Sequence, residues 1–436
     1  MWATVLGVRC ADRRTLVNVI IVGGGIGGFT LALFLHRAGI GCRIYELATE
    51  IRPLGVGINI LPHASRELGK LGLESALARV SVLTREAVFF NRFGQLIYRE
   101  ALGRYAGYDD PQYSIHRGEL QKVLVDAATA RVGADAIFTG WKCTGVDQDP
   151  AGAIAHFQDA ATGEALAPQR ADIVVACDGL HSIVRKALHP HEGSPLYSGV
   201  NMWRGVSIWA PILSGASMIR AGWLASGKMV IYPIRDSVDG HGKQLVNWVA
   251  ELETRQHKRR DWNRPGDIND FIGAFADWHF DWLDVPALIG AAQTILEFPM
   301  VDQDPLPWWS QGRITLLGDA AHPMYPRGSN GAGQAILDAR VLTDALVAHG
   351  DPVAALKAYE AKRLPFTAEV VRMNRRNPPD AILREVFERT GDKPFRRIED
   401  VISADELVAL SEGYKRVAGF DKQSLQLGAS MASQKR

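Results

Sequence analysis

The run Val17–Gly39, VNVIIVGGGIGGFTLALFLHRAG, constrains this chain more than any other stretch. No charged residue occurs from Leu16 to Leu35, and five glycines fill six positions at its centre. The length would suit a membrane span or an export signal, with Arg13 and Arg14 just ahead of it. Clustered glycines argue against both, since each costs a helix about 1 kcal/mol relative to alanine. No small-residue cleavage site follows. A strand–turn–helix reading accounts for every position instead. Val17–Val22 is β-branched and apolar, like a strand buried on both faces. Gly23-Gly24-Gly25-Ile26-Gly27-Gly28 matches G-x-G-x-x-G. Phe29–Arg37 reads as a helix that stops at Gly39.

A second strand, Cys42–Glu46, ends in an acid eighteen residues past Gly28. Strand, glycines, helix and acid together form a dinucleotide fingerprint. Gly23 permits the tight turn, Gly25 lets backbone N–H groups approach a pyrophosphate, and Gly28 allows close helix–strand packing. Glu46 is placed to accept from ribose hydroxyls. The fingerprint does not by itself separate NAD from FAD.

Two later stretches bear on the ligand. Cys177-Asp178-Gly179-Leu-His-Ser182-Ile-Val-Arg185 runs a buried strand into an Asp-Gly turn. Gly318-Asp319-Ala-Ala-His322-Pro323-Met-Tyr325-Pro326-Arg327-Gly328-Ser-Asn330-Gly331-Ala332-Gly333 places an acid at a strand end, then a proline-held loop, then a helix to Leu346. Ligands bind at such strand ends in open α/β sheets, and glycine before a bare helix N-terminus suits an anionic or planar polar group.

These three motifs, in this order, resemble the FAD-dependent aromatic hydroxylases, the class A flavoprotein monooxygenases of the p-hydroxybenzoate hydroxylase type. The resemblance covers about residues 17–375. Several stretches, including 50–59, 111–120, 202–206 and 299–307, are similar to the 5-methylphenazine-1-carboxylate monooxygenase type. Arg327 in the proline loop, an N-terminal extension and a longer tail depart from it. The resemblance implies Glu46 at the adenosine ribose, Asp319 at the ribityl chain, Asp178 and Gly179 between FAD and reductant, Arg117 at the FAD phosphate side, and Gly331, Ala332 and Gly333 at the flavin pyrimidine edge. It places the loop carrying Arg52, Val56 and Gly57 beside the flavin ring.

The resemblance further implies an NADH- or NADPH-dependent enzyme that hydroxylates an electron-rich aromatic or heteroaromatic substrate with O2, through a flavin C4a-hydroperoxide. A carboxylate substrate and accompanying decarboxylation stay open. Arg204, Tyr232 and Pro323 are the candidate catalytic residues. With Trp248 and Tyr325 they are also the candidate substrate contacts. Arg204 stands in an apolar strand, where a guanidinium needs an anionic or π partner. His322 reads either as a proton relay or as a structural hydrogen bonder. Alternatives are a flavin halogenase or reductase, and a non-catalytic flavin-binding protein. The absence of a W-x-W motif weighs against the halogenase.

The expected fold is α/β. A Rossmann-like FAD domain (17–80, 114–187 and 300–372) carries an inserted antiparallel-sheet substrate domain (81–113 and 188–299). Residues 1–16 form an extension and 373–436 a helical tail, in which Ser403-Ala-Asp-Glu406 reads as a capping box. With 436 residues and a net charge of +1, nothing electrostatic points to nucleic acid or an anionic membrane. The basic stretch Lys258–Arg264 reads as a solvated loop. Four scattered cysteines offer no C-x-x-C pair, no metal site is expected, and a cytoplasmic monomer or homodimer fits.

Overall fold

The computed structural model describes residues 17–52, 55–254 and 264–426. The extension 1–16 and most of the basic stretch Lys258–Arg264 lie outside the described residues. The opening run folds as strand Asn18–Val22, glycine turn and helix Ile26–Arg37, followed by strand Gly41–Glu46. The first strand is the centre of a six-stranded sheet, parallel on both sides to Gly41–Glu46 and Ile173–Ala176. Ile314–Leu316 adds to Ile173–Ala176, again in parallel. The three motifs therefore emerge side by side at the carboxyl ends of adjacent strands. The helix is apolar nearly all round because it is buried between this sheet and helix Gly331–Ala348.

The second large unit is an eight-stranded sheet, in which Leu196–Trp209, Gln244–Glu253, Gly227–Arg235 and Ser217–Trp223 lie in successive order. The strand Ser217–Trp223 carries no clear alternation and is not evident from sequence. Period-two geometry sorts the side chains of this sheet onto two faces. Trp203, Met229, Ile231 and Trp248 point to an outer core with Phe271 and Phe275. Arg204, Tyr232 and Asn247 point the other way, toward the dinucleotide-binding unit, where Gly57 meets them.

The tail is helical at Ala381–Thr390 and Ala404–Val417, and Ser403 with Glu406 makes the reciprocal capping box. Ile382, Leu383, Val386 and Leu407 pack against the inward sheet face. A buried ion cluster anchors the junction: Asp380 receives Lys228 and, at 3.1 Å, Arg220, while Lys228 also reaches Glu251 at 3.0 Å. Among the described residues, no helix is long and apolar enough to cross a membrane.

Candidate active site

The glycine turn has no room for side chains at two positions. Gly23 has φ +103°, and a Cβ there would fall 2.4 Å from the Cys177 carbonyl oxygen. A Cβ on Gly28 would fall 2.0 Å from the Gly23 oxygen. Gly25 differs: a Cβ would meet nothing within 4 Å. The turn is thus packed tightly behind and open in front. Glu46 accepts from the Gly24 N–H at 2.6 Å through Oε2 and from Ala48 through Oε1, which fixes its carboxylate at the mouth of the turn. Gln121, which gives no sign in the sequence, donates to the Gly24 carbonyl at 2.9 Å.

Asp178 and Asp319 flank this opening from neighbouring strands. Asp178 accepts from the Ile183 N–H at 2.9 Å, while its Oδ1 is buried without a partner. Burial raises its pKa. Asp319 presents surface to the cleft yet has protein packed closely around it. That burial raises its pKa, against the opposing pull of His322 and Arg117. Arg185 clasps the two motifs, donating to the Ala320 and Ala321 carbonyls at 2.9 Å each and pairing with Glu192. Helices Ile26–Arg37 and Gly331–Ala348 both begin without a side-chain cap and without an acid in the first turn. Their free N–H groups and dipoles favour anionic or electron-rich groups in front of them. An open glycine turn, an orphaned carboxylate oxygen and two bare helix ends fit a dinucleotide with a planar polar ring.

The loop after Glu46 links this cleft to the large sheet. Arg117 N–H donates to the Val56 carbonyl at 2.9 Å, and His116 Nε2 bonds the Gly55 carbonyl at 3.0 Å. His116 Nδ1 accepts from Gly118, so the ring is neutral, consistent with the lowering of its pKa by burial. Gly57 donates to Asn247 Oδ1 at 2.7 Å and accepts from Arg204 Nη2 at 2.8 Å. A Cβ on Gly57 would come within 2.7 Å of both Asn247 and Tyr232, so only glycine lets the loop lie this close. Asn247 was not apparent in the sequence. Its one signal is strand parity with Tyr232, and that requires knowing the register.

Arg204 is surrounded by protein, and that burial lowers its pKa against the opposing pull of the Tyr232 hydroxyl and Glu251. Arg204 Nε and Asn247 Nδ2 are buried without partners. Tyr232 is buried with its pKa raised by desolvation, so its phenol stays protonated at neutral pH. Two surfaces flank these residues on the same face. One is a half-open cavity of about 350 Å³ lined by Gly55, Val56, His116, Val206, Leu245 and Leu296. The other is the wall of Val200, Met202, Leu224, Val249 and Met300 against which Tyr325 packs.

The remaining candidates divide. Trp248 requires a correction as a substrate contact: it is on the opposite face from Arg204, fully buried, with Nε1 bonded to Ser207 Oγ at 3.0 Å. It neighbours Asn247 in sequence, and one residue along a strand reverses the side chain. Arg52 is exposed and paired with Glu50 at 2.7 Å, so no side-chain link to the cleft exists. His322 is structural in its contacts, bonded to Asp338 at 2.5 Å, which also pairs with Arg363 at 2.6 Å. Pro323 is buried in the loop between His322 and Tyr325, and its carbonyl faces the Gln303 N–H at 3.5 Å.

A protein family described as FAD binding domain matches residues 16–264 and 292–374. The chain belongs to this family. It is 44% identical over 365 residues to phenazine 1,6-dicarboxylic acid hydroxylase PhzS of Lysobacter antibioticus, covering 83% of this chain and 90% of that protein. It is 31% identical over 370 residues to 6-hydroxynicotinate 3-monooxygenase of Bordetella bronchiseptica, covering 83% and 91%. Among solved structures, Klebsiella pneumoniae HpxO complexed with FAD and uric acid shares the fold at a TM-score of 0.69 and 23% identity, covering 95% of this chain and 96% of that one. The protein is an FAD-dependent aromatic monooxygenase that uses NAD(P)H as reductant and O2 as co-substrate.

Proposed function

We propose that the substrate is a heteroaromatic ring bearing an anionic oxygen, a carboxylate or a phenolate, bound against the sheet face at Arg204, Tyr232 and Asn247. The observation that carries this reading is the state of Arg204. A buried guanidinium without a carboxylate partner is costly, and here one N–H is left unpaired, as is the amide nitrogen of Asn247, both side chains meeting at Gly57. An anionic ring substituent satisfies both donors. The two relatives named above act, by their names, on acidic heteroaromatic compounds. Their likeness to this chain supports the same substrate class.

Bound FAD supplies the redox chemistry, taking reducing equivalents from NAD(P)H and activating O2. The residues that would hold it are Gly23, Gly25 and Gly28 with Glu46 at the nucleotide end, Arg117, Asp178, Gly179 and Asp319 along its length, and Val56, Gly57 and Gly331–Gly333 at the ring. The rest is positioning. Arg204 and Asn247 fix the anionic substituent and so the ring's orientation. Tyr232, held protonated, donates or accepts a hydrogen bond at a ring substituent as its electron demand changes. The Tyr325 wall and Pro323 exclude water from the reacting face. A cytoplasmic setting is part of the same proposal, and the free thiols of Cys42, Cys143 and Cys177 are in keeping with it.

The test is a panel of heteroaromatic acids and their neutral amides, scored by substrate-stimulated NADH and NADPH oxidation with product masses. Acids should stimulate oxidation and gain one oxygen, with loss of CO2 reporting decarboxylative hydroxylation. Turnover of the amides in preference to the acids would overturn the assignment.

A further inference from the structure

The helix Gly331–Ala348 offers its bare N-terminus to the cleft, although the residue before it, Asn330, is one of the best helix-capping types. Asn330 is fully buried, and its side chain does not cap. Its Nδ2 donates to the Tyr414 hydroxyl at 2.9 Å and to the Gly328 carbonyl at 3.2 Å, and its Oδ1 accepts from Gln334 Nε2 at 3.1 Å. Tyr414, from helix Ala404–Val417 of the tail, donates its own hydroxyl hydrogen to Asn374 Oδ1 at 2.7 Å. The phenol also abuts the loop: a Cβ on Gly328 would lie 1.9 Å from its oxygen. Gly328 and Ser329 both have positive φ, +76° and +57°, a conformation that costs the glycine nothing but that Ser329 holds only with support from its surroundings. Further along the tail, Phe420 stacks on His63, whose ring lies against Gly333.

We propose that Tyr414 is a positioning residue for the cofactor: it holds Asn330 away from its own helix, leaving the first-turn N–H groups of Gly331–Gly333 free for the flavin. The capping atom, Asn330 Oδ1, is held by Gln334, and Tyr414 fixes the amide in that orientation through Nδ2; without the hydroxyl the amide is freer to turn Oδ1 back to the first-turn N–H groups, competing with the flavin for the same donors. The tail is then part of the cofactor site, not only a cover for the sheet. This rests on the reading that Gly331–Gly333 face the flavin ring.

The experiment titrates apoprotein with FAD, following flavin fluorescence and the visible spectrum, for wild type, Y414F, N330A and the double variant Y414F/N330A. Y414F should raise the FAD Kd roughly three- to tenfold, the worth of one hydrogen bond, and shift the flavin bands. N330A removes the competing cap, so the double variant should recover affinity relative to Y414F. N374A, which removes the acceptor for the Tyr414 proton, should act in the same direction as Y414F and serves if Y414F folds poorly. L407A loosens the tail elsewhere and should lower Tm without changing Kd. A wild-type Kd and spectrum in Y414F, or a double variant no better than Y414F, overturns the proposal. G331A separates the two readings: if it leaves FAD binding unchanged, the helix end is not the flavin's seat; if it weakens binding while Y414F does not, the role of Tyr414 alone fails.

Discussion

Gly25→Ala and Gly28→Ala differ by three positions in one turn and should fail in different ways. At Gly28 the added carbon would sit 2.0 Å from the Gly23 oxygen and 3.3 Å from an Ile21 methyl, with no flexible side chain to yield. Helix Ile26–Arg37 and strand Asn18–Val22 would have to separate. Overpacking of this kind costs about 1–3 kcal/mol or more, within the centre of the main core. Gly25 has φ −82°, ordinary for any residue, and open space in front of it. Alanine there changes apoprotein stability by no more than about 1 kcal/mol, the difference between glycine and alanine at a helix start. Yet its methyl enters the approach of a phosphate to the helix N-terminus. Losing one charge-assisted hydrogen bond there costs about 1.5–3 kcal/mol, so FAD affinity should fall roughly 10- to 150-fold. Apoprotein thermal melts and FAD titrations of the two variants report the two effects independently. If G25A binds FAD like wild type, or if its apoprotein melts as low as that of G28A, the division of labour within the turn is wrong.

Arg204→Met should raise the Kd of an anionic ring substrate, read from flavin absorbance changes, by roughly 10- to 150-fold, while Arg204→Lys restores little because a lysine cannot reproduce the Gly57 and Tyr232 bonds together. His63 is buried with no hydrogen-bond partner, and its pKa is pushed down to about 3 by burial and then by the charges of Arg363 and Arg66. Between pH 6.5 and 3 the unfolded chain binds a proton that the folded one refuses, so stability falls with pH across that window. From pH 6.5 to 5 the loss is about 2 kcal/mol, and urea melts of H63F should lack that slope relative to wild type. Asp338 is the opposite case: burial alone would raise its pKa, but His322 and Arg363 bring it down to about 2. Its stabilisation is present above about pH 4 and lost as pH falls toward 2. D338N should cost about 3–5 kcal/mol by leaving the buried Arg363 guanidinium without its carboxylate, and an unchanged denaturation midpoint would refute the network.

Much of the dinucleotide-binding half was legible in the sequence because its determinants are local. A glycine is required where φ is +103° at Gly23, and where two backbones approach at Gly28, whatever the rest of the chain does. The strand–turn–acid order of residues 18–46 and 173–179 likewise follows from short-range pattern. The capping box at Ser403 and Glu406 was equally readable, being four consecutive residues.

The sheet face proposed for the substrate was legible only in part, because its determinants are non-local. Arg204 and Tyr232 could be singled out as polar residues in apolar strands. Trp248 could not be sorted from Asn247 without the register that pairs Asn247 with Tyr232 and with Val206. Period-two geometry then sends the indole to the outer core and the amide to Gly57. Tyr414 lies 84 residues from Asn330 and bears no mark of its role. The sequence by itself determined a dinucleotide cradle, since glycine geometry and strand-end acids are properties of short segments, and the order of its three motifs carried the resemblance that implied FAD. The tertiary structure alone decided which face each strand presents, what remains unpaired at Arg204 and Asn247, and that the tail reaches back to the start of helix Gly331–Ala348. Those depend on which distant backbones meet, a matter of packing that no local pattern encodes.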